Sequence, residues 1–415
     1  MVSTLLTTRT EFSDQFFQKL LELISGELGE DFLIGYTKLK NRREQFLQEQ
    51  WVLYEASEDD AVFREVDYEY LITTLRRFVI TQSRDVLELQ LQIAELCIQF
   101  GEIERAYDLL IQLMPVLEDL GNQPLGKVFL LLGRIESLRN RYQASRQYLN
   151  RAHEYYARRG DSAGMVAASL NLGVLSSMRW DTASGFRYFK DAEEMLNGDI
   201  SGTLGLKLLT NQAIIQGMRG EFEDAARLFE DLMSHPAAQD PVKRIHLLIN
   251  RGLAKLGTGE LLVARDSFRE AVDLAGSLPE ANLFGLGAMC LSEVLVLLGE
   301  FDEGHTLLVT AFKIITKLGD RYRLAEAYRV FGLLHREMGL LDLAAANFEV
   351  SIEINAEAGN LLNLCETYYE YSVLADIKDD LITRKQYLQR SLSYAEAMRA
   401  VPRINRLQKE IDTLT

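Results

Sequence analysis

The chain has 415 residues, of which 47% are hydrophobic, and a formal net charge of −16 at pH 7. This acidity argues against nucleic acid and against anionic membrane surfaces as partners, because both attract a clustered positive surface. The sequence contains no signal-peptide pattern and no apolar run of about 20 residues, so we expect a soluble cytoplasmic protein. Three cysteines far apart in the sequence, Cys97, Cys290 and Cys365, are typical of buried, reduced thiols.

The first 83 residues do not follow the repeat that organises the rest of the chain. Their apolar spacing predicts three amphipathic helices, at Phe12–Leu28, Glu30–Glu55 and about 66–80. The second of these helices alternates in charge, which is typical either of a solvated helix face or of a surface that docks a partner. We therefore predict an N-terminal helical segment over residues 1–83.

From residue 84 onward, a turn recurs every 39 or 40 residues, eight times. Five of the eight turn positions are glycine, which tolerates the left-handed backbone that closes one helix before the next begins. The positions are Gly101, Asn140, Trp180, Gly220, Gly259, Gly299, Gly339 and Asp379. A fixed period of this size predicts a solenoid of helical hairpins, each of which buries its apolar face against its neighbours.

Two further positions accompany each turn. A small residue stands seven places before it, as at Gly173 and Gly252, and another stands five places after it in seven of the eight repeats. Small side chains let helices cross closely, so these positions predict the contact of helix A with helix B. A large apolar residue nine places after the turn, such as Phe229 or Phe268, is expected to fill the space between successive hairpins.

The pattern predicts eight helix pairs over residues 84–400. The A helices are expected at residues 84–100, 125–139, 162–179, 202–219, 241–258, 280–298, 322–338 and 361–377. The B helices are expected at residues 103–120, 142–159, 182–197, 222–234, 261–276, 301–318, 341–358 and 381–399. Residues 401–415 form an amphipathic tail that we expect to cap the last hairpin.

A small residue, a turn, a second small residue and a large aromatic residue together resemble the tetratricopeptide repeat, as in Gly259-Glu-Leu-Leu-Val-Ala-Arg-Asp-Ser-Phe268. The resemblance implies an all-α, right-handed superhelical solenoid. The long period resembles the branch that includes kinesin light chains, the LGN spindle adaptors and the Rap and PlcR-type receptors. For these proteins the repeat is a scaffold for peptides and protein partners, so the resemblance implies an interaction module.

No motif for catalysis, a cofactor or a metal occurs in the sequence. Nucleotide-binding, zinc-protease and serine-hydrolase signatures are absent, and the five histidines are dispersed over different repeats. We therefore expect no enzyme, no catalytic residue, no cofactor and no metal site.

The inner wall of the predicted superhelix is the candidate binding surface. Five offsets before each turn face this wall, and they carry acidic residues mainly in repeats one and six to eight. The candidate contacts for a ligand, other than asparagines, are Lys127, Arg134, Lys207, Thr210, His246, Arg329 and Arg336. The middle of the wall is therefore expected to be less acidic than its ends.

Asparagine occupies the same offset, nine before the turn, in three successive repeats, as Asn171, Asn211 and Asn250. A carboxamide offers a donor and an acceptor in one plane, which matches the backbone of an extended peptide. The LGN adaptors and PlcR-type receptors use an asparagine ladder of this kind, and the three residues match it by position. The alternative is that each asparagine only bonds to a neighbouring helix.

Three functional hypotheses remain open from the sequence. In the first, the chain is a non-enzymatic module that binds an extended peptide or partner segment in its concave groove. In the second, it is a structural scaffold or assembly factor that uses its convex face and N-terminal helices. In the third, it is a Rap-like regulator in which a groove ligand controls the N-terminal segment.

Overall fold

The computed structural model describes residues 19–24, 26, 84–120, 124–139, 141–278, 281–318 and 320–414. Residues 19–24 are helical, and the other positions of the three predicted N-terminal helices lie outside the described residues, except Gly26. The chain divides into two compact units, Met1–Ile135 and Glu136–Thr415.

The described part of the chain from residue 84 onward is all-α, with no strand in these ranges, and its helices are numbered here α1 to α17. The first unit contains α1, α2 and most of α3, and the second contains the remainder. The bounds are α1 Arg84–Gln99, α2 Ile103–Leu120, α3 Leu125–Leu138, α4 Tyr142–Arg159, α5 Ser162–Met178, α6 Thr182–Met195, α7 Thr203–Arg219, α8 Phe222–Leu232, α9 Pro241–Gly257, α10 Leu261–Gly276, α11 Ala281–Leu297, α12 Phe301–Leu318, α13 Arg321–Glu337, α14 Leu341–Ala358, α15 Leu361–Ile377, α16 Leu381–Ala397 and α17 Val401–Asp412. Odd-numbered helices are the A helices of hairpins one to eight, even-numbered helices are the B helices, and α17 follows the last hairpin.

The turn ladder adopts the backbone that the sequence predicts. The five ladder glycines have φ between 76° and 85°, and Trp180 and Asp379 reach 60° and 56°. Asn140 lies outside the described residues. The left-handed residue lets the chain reverse within a few positions, so that consecutive helices pack side by side. The predicted all-α solenoid of helical hairpins is therefore confirmed.

The small residues before the turn lie under the large aromatic residues after it. A Cβ atom built on Gly252 would fall 2.4 Å from the ring of Phe268, and one on Gly173 would fall 2.2 Å from the ring of Phe189. The predicted close crossing of helices A and B is thus observed. The large ring thus contacts the small residue of its own hairpin, in addition to the expected packing between hairpins.

The core is continuous along neighbouring hairpins of the second unit. One buried cluster extends from Ile245 in α9 to Leu334 in α13 and includes the fully buried Phe268. The three cysteines are buried, as expected, and none of them forms a disulfide. Within the described ranges, none of the helices is both long and apolar enough to cross a bilayer.

Candidate functional site

A cavity of about 650 Å³ lies in the second unit, on the side of the hairpins formed by the A helices. Its wall contains residues from five consecutive A helices, α7, α9, α11, α13 and α15, and from the C-terminal helix α17. The hairpin repeat explains this arrangement, because equivalent faces of successive A helices stand next to one another. The cavity is large enough for a few residues of an extended chain.

Charged residues dominate one half of the cavity wall, and most of them form ion pairs between neighbouring helices. Arg329 of α13 donates two hydrogen bonds to Glu293 of α11, at 2.8 and 2.9 Å, in a bidentate fork. An oxygen of Glu366 in α15 lies 3.1 Å from a guanidinium nitrogen of Arg403 in α17. Each pair therefore ties one helix of the wall to another.

Glu326 is the exception among these carboxylates. Its nearest cation is Arg329, at 4.0 Å, which is beyond hydrogen-bonding distance. Its side chain retains 23% of its accessible surface and lines the cavity. Burial there raises the pKa of Glu326 to about 7; Arg329 opposes the shift, and the carboxylates of Glu293 and Glu366 add to it. Glu326 therefore keeps its proton to a higher pH than an ordinary glutamate does.

Three buried donors on the cavity wall have no hydrogen-bond acceptor among the described residues. They are the Nε atoms of Arg329 and Arg403 and the Nδ2 atom of Asn363. Arg329 and Asn363 are only 4% and 5% exposed. Buried polar groups normally find partners, so unsatisfied donors around a cavity are a feature of sites that receive an acceptor from elsewhere.

The asparagine ladder lies on the A helices as the sequence predicts, and only Asn250 lines the cavity. The Nδ2 atoms of Asn171 and Asn250 donate to the carbonyl oxygens of Ala167 and His246, four residues earlier in their own helices, at 2.7 and 2.8 Å. Asn211 is half-buried and makes no side-chain hydrogen bond to any described residue. In the two bonded asparagines, the Oδ1 atom is the group left for a ligand.

The other predicted contacts are distributed over both units. In the first unit, Lys127 lies 3.1 Å from Glu95 and 3.6 Å from Glu88, and Arg134 is exposed. In the second unit, Lys207 and His246 are exposed, and Thr210 is half-buried.

The two predicted arginines of hairpin seven are buried in ion pairs. Arg329 lines the cavity in its fork with Glu293, and Arg336, 8% exposed, pairs with Glu370. The cavity therefore brings together Asn250 and Arg329 of the ten predicted residues.

Several cavity residues were not predicted. Tyr369 stands ten places before the turn at Asp379, which is one of the inward-facing offsets, and a search of those offsets for aromatic residues would have found it. Asn363, Arg403 and Arg406 stand outside those offsets, and no local pattern indicates them.

Comparison with known proteins shows similarity of fold. No family model and no curated protein matches the sequence. A Rap protein complexed with competence and sporulation factor has a TM-score of 0.54 and 14% identity, over 79% of this chain and 97% of that one. The Rap conjugation gene regulator of plasmid pLS20, complexed with a Phr peptide, has a TM-score of 0.56 and 16% identity, over 80% and 96%. The apo quorum sensor NprR from B. thuringiensis has a TM-score of 0.52 and 15% identity, over 90% and 99%. The chain thus has a tetratricopeptide-like fold and resembles the Rap and PlcR-type receptors in structure.

Proposed function

We propose that this chain is a non-enzymatic interaction protein that binds an extended peptide, or an extended segment of a protein partner, along the inner wall of its hairpins. The observation that carries the proposal is the cavity of about 650 Å³ built by five consecutive A helices. A wall with a repeating structure suits a ligand with a repeating backbone, because one group per hairpin meets backbone groups at regular intervals along the ligand. Two of the proteins with a similar fold were solved with a peptide or a signalling factor, which agrees with this proposal.

The asparagine ladder is the proposed backbone-holding element. Asn211 has its whole carboxamide available, and Asn171 and Asn250 have Oδ1 available to accept a backbone N–H from the ligand. In the second unit, the proposed contacts for the side chains or the free carboxylate of the ligand are Lys207, His246 and Thr210. Lys127 and Arg134 of the first unit stay predictions from the sequence. Arg329 and Arg336 act mainly by fixing the wall, since both are already engaged by carboxylates.

The test is affinity capture from the native source, with the full chain as bait, followed by a binding measurement with the protein or peptide recovered. The Asn171, Asn211 and Asn250 triple alanine variant is expected to lose that ligand. Asn347→Ala is the control on a B helix, because Asn347 of α14 makes the same bond to the carbonyl four residues earlier, together with a contact of 3.1 Å to Nδ1 of His335. Equal binding by a correctly folded triple variant would contradict the role of the ladder.

A scaffold function is the second candidate, and it is favoured by exposed aliphatic residues at the hairpin turns. Leu262, Leu343, Leu381 and Ile382 are 58%, 51%, 60% and 74% exposed. Aliphatic groups left in water at repeated positions are typical of protein-docking surfaces. If the scaffold function is correct, Leu381→Lys with Ile382→Lys will release the captured partner, whereas the triple asparagine variant will retain it.

A further inference from the structure

The C-terminal helix α17 is anchored on the last hairpin by its apolar face. Leu407 and Ile411 are 4% and 7% exposed, and they belong to a buried cluster with Leu388, Ala395 and Met398 of hairpin eight and the turn that follows it. An amphipathic helix in this position buries the apolar end of a solenoid. This anchor accounts for one side of α17 only.

The N-terminal end of α17 also reaches the opposite side of the cavity, at hairpin four. A Cβ atom built on Gly220, at the turn of that hairpin, would lie 3.1 Å from Cβ of Pro402. The guanidinium of Arg403 lies over the ring of Phe222, 5.8 Å from its centroid. The helix α17 therefore spans the cavity from hairpin eight to hairpin four.

Polar contacts hold the cavity side of α17 to the wall. Arg403 pairs with Glu366, and Arg406 donates a hydrogen bond of 2.6 Å to the hydroxyl of Tyr369 while stacking over its ring. Arg403 thus touches hairpin eight through Glu366 and hairpin four through Phe222. The Nε atom of Arg403 has no acceptor, so the polar contacts at this end of α17 are incomplete.

We propose that α17 is a lid on the cavity, which stays anchored to hairpin eight while its N-terminal end detaches from hairpin four to admit an extended ligand. The contacts are unequal in the way that such a motion requires. The anchor buries several apolar side chains, whereas the contacts with the opposite side are Pro402 against a glycine turn, Arg403 against a ring, and the partly buried Trp180 of hairpin three at the edge of the anchor cluster. The identity of the ligand rests on the proposed function, but the opening of the lid does not.

Cys365 provides an internal probe of this motion. It lines the cavity, is 2% exposed, and its Sγ atom lies 3.3 Å from Oγ of Ser391, which is also on the wall. Burial raises the pKa of this thiol, so it reacts slowly while the lid is closed. Cys290 is buried in α11 and is not among the residues that line the cavity, so it serves as the reference for general unfolding.

The test uses the full chain carrying Gly220→Cys and Pro402→Cys, whose Cβ atoms are near disulfide distance. The equivalent turn positions hold Trp180 and Asp379 with φ of 60° and 56°, so a side chain is tolerated there. Maleimide labelling of Cys365 is followed by mass spectrometry of its peptide, in the oxidised and the reduced forms of the same protein. We expect the disulfide to slow labelling of Cys365 by about tenfold or more, and to leave Cys290 unchanged, because only local opening exposes the cavity.

Arg403→Gln, made without the cysteines, is expected to have the opposite effect and to speed labelling of Cys365 several-fold. An unchanged rate at Cys365 in both the oxidised protein and Arg403→Gln overturns the lid, and so does an equal change at Cys365 and Cys290. No ligand enters this experiment. If the labelling rates show that the lid opens, but affinity capture recovers no peptide or partner, the proposed function is contradicted and the lid is not.

Discussion

The inner wall of the second unit has two halves, and the polar side chains of the two halves differ in their bonding partners. In hairpins three to five it presents Asn171, Asn211 and Asn250, which bond at most to their own helices. In hairpins six to eight its arginines bond to carboxylates of neighbouring hairpins, as Arg329 does to Glu293 and Arg336 to Glu370. Polar groups that join hairpins stabilise the superhelix, whereas polar groups that bond only within a helix remain available to a ligand.

The largest expected losses of stability come from substitutions in the hydrophobic core beneath the wall. We expect these losses to be equal in the two halves. Phe268 of hairpin five and Phe348 of hairpin seven are fully buried against Gly252 and Gly332. Replacing either phenylalanine with alanine is expected to lower the free energy of unfolding by ~3–5 kcal/mol, because a ring-sized cavity remains. Urea unfolding measures the loss, and hydrogen exchange should show it first in the mutated hairpin and its neighbours. A large difference between the two variants would show that the halves differ in their packing as well as in their polar groups.

The ion pairs of hairpins six to eight should show the next largest effect. Glu293→Gln leaves Arg329, whose side chain is 5% exposed, without its charge partner, and a loss of ~3 kcal/mol in unfolding free energy is expected. The matched control is Glu357→Gln, because Glu357 and its partner Arg321 are 56% and 68% exposed. We expect the control to change stability by less than ~1 kcal/mol. Equal losses of unfolding free energy in Glu293→Gln and Glu357→Gln would contradict the structural role of the ion pairs in hairpins six to eight.

Glu326 makes no close ion pair, and its carboxylate predicts that stability depends on pH. The asparagines of hairpins three to five do not titrate and predict no such dependence. Its pKa is raised from 4.5 to about 7, so the folded protein binds this proton more tightly than the unfolded chain does. Stability from this group is therefore greatest at low pH and falls as the pH rises from 4.5 to about 7. Glu326→Gln should gain ~1–3 kcal/mol over the wild type near pH 8, and much less near pH 5. Urea unfolding at the two pH values measures this difference, and a gain independent of pH would contradict it.

The local sequence pattern predicts the hairpins well but predicts few of the residues that line the cavity. The reason is that the hairpins depend on local signals and the cavity does not. Turn residues and helix periodicity are local signals, and the observed helix bounds lie within two residues of the predicted ones. Even Trp180 and Asp379 could be placed at left-handed turns from the period alone. The contact between Pro402 and Gly220 depends on small rotations summed over several hairpins, and no local pattern encodes that sum. Arg403 becomes a site residue only through this curvature, whereas Tyr369 stands at an inward-facing offset of the repeat.

The smallest expected effect on folding belongs to the asparagines themselves. Single alanine substitutions at Asn171, Asn211 and Asn250 should each change the unfolding free energy by no more than ~0.5 kcal/mol, because the side chains are partly exposed and hold no neighbouring hairpin. Their effect on the captured ligand should be larger, at ~1–3 kcal/mol, since a desolvated backbone group of the ligand loses its partner.

Of the three substitutions, Asn211→Ala should weaken binding of the ligand most. Both the amide nitrogen and the oxygen of Asn211 are available, whereas Asn171 and Asn250 already use Nδ2 within their helices. Calorimetric titration of the three single variants with the captured ligand gives the order directly. If Asn211→Ala binds as well as the wild type while Asn171→Ala or Asn250→Ala does not, the ligand reads only the Oδ1 atoms. If a single substitution instead destabilises the fold by several kcal/mol, the asparagines belong with the arginines of hairpins six to eight, and the two halves of the wall have the same role.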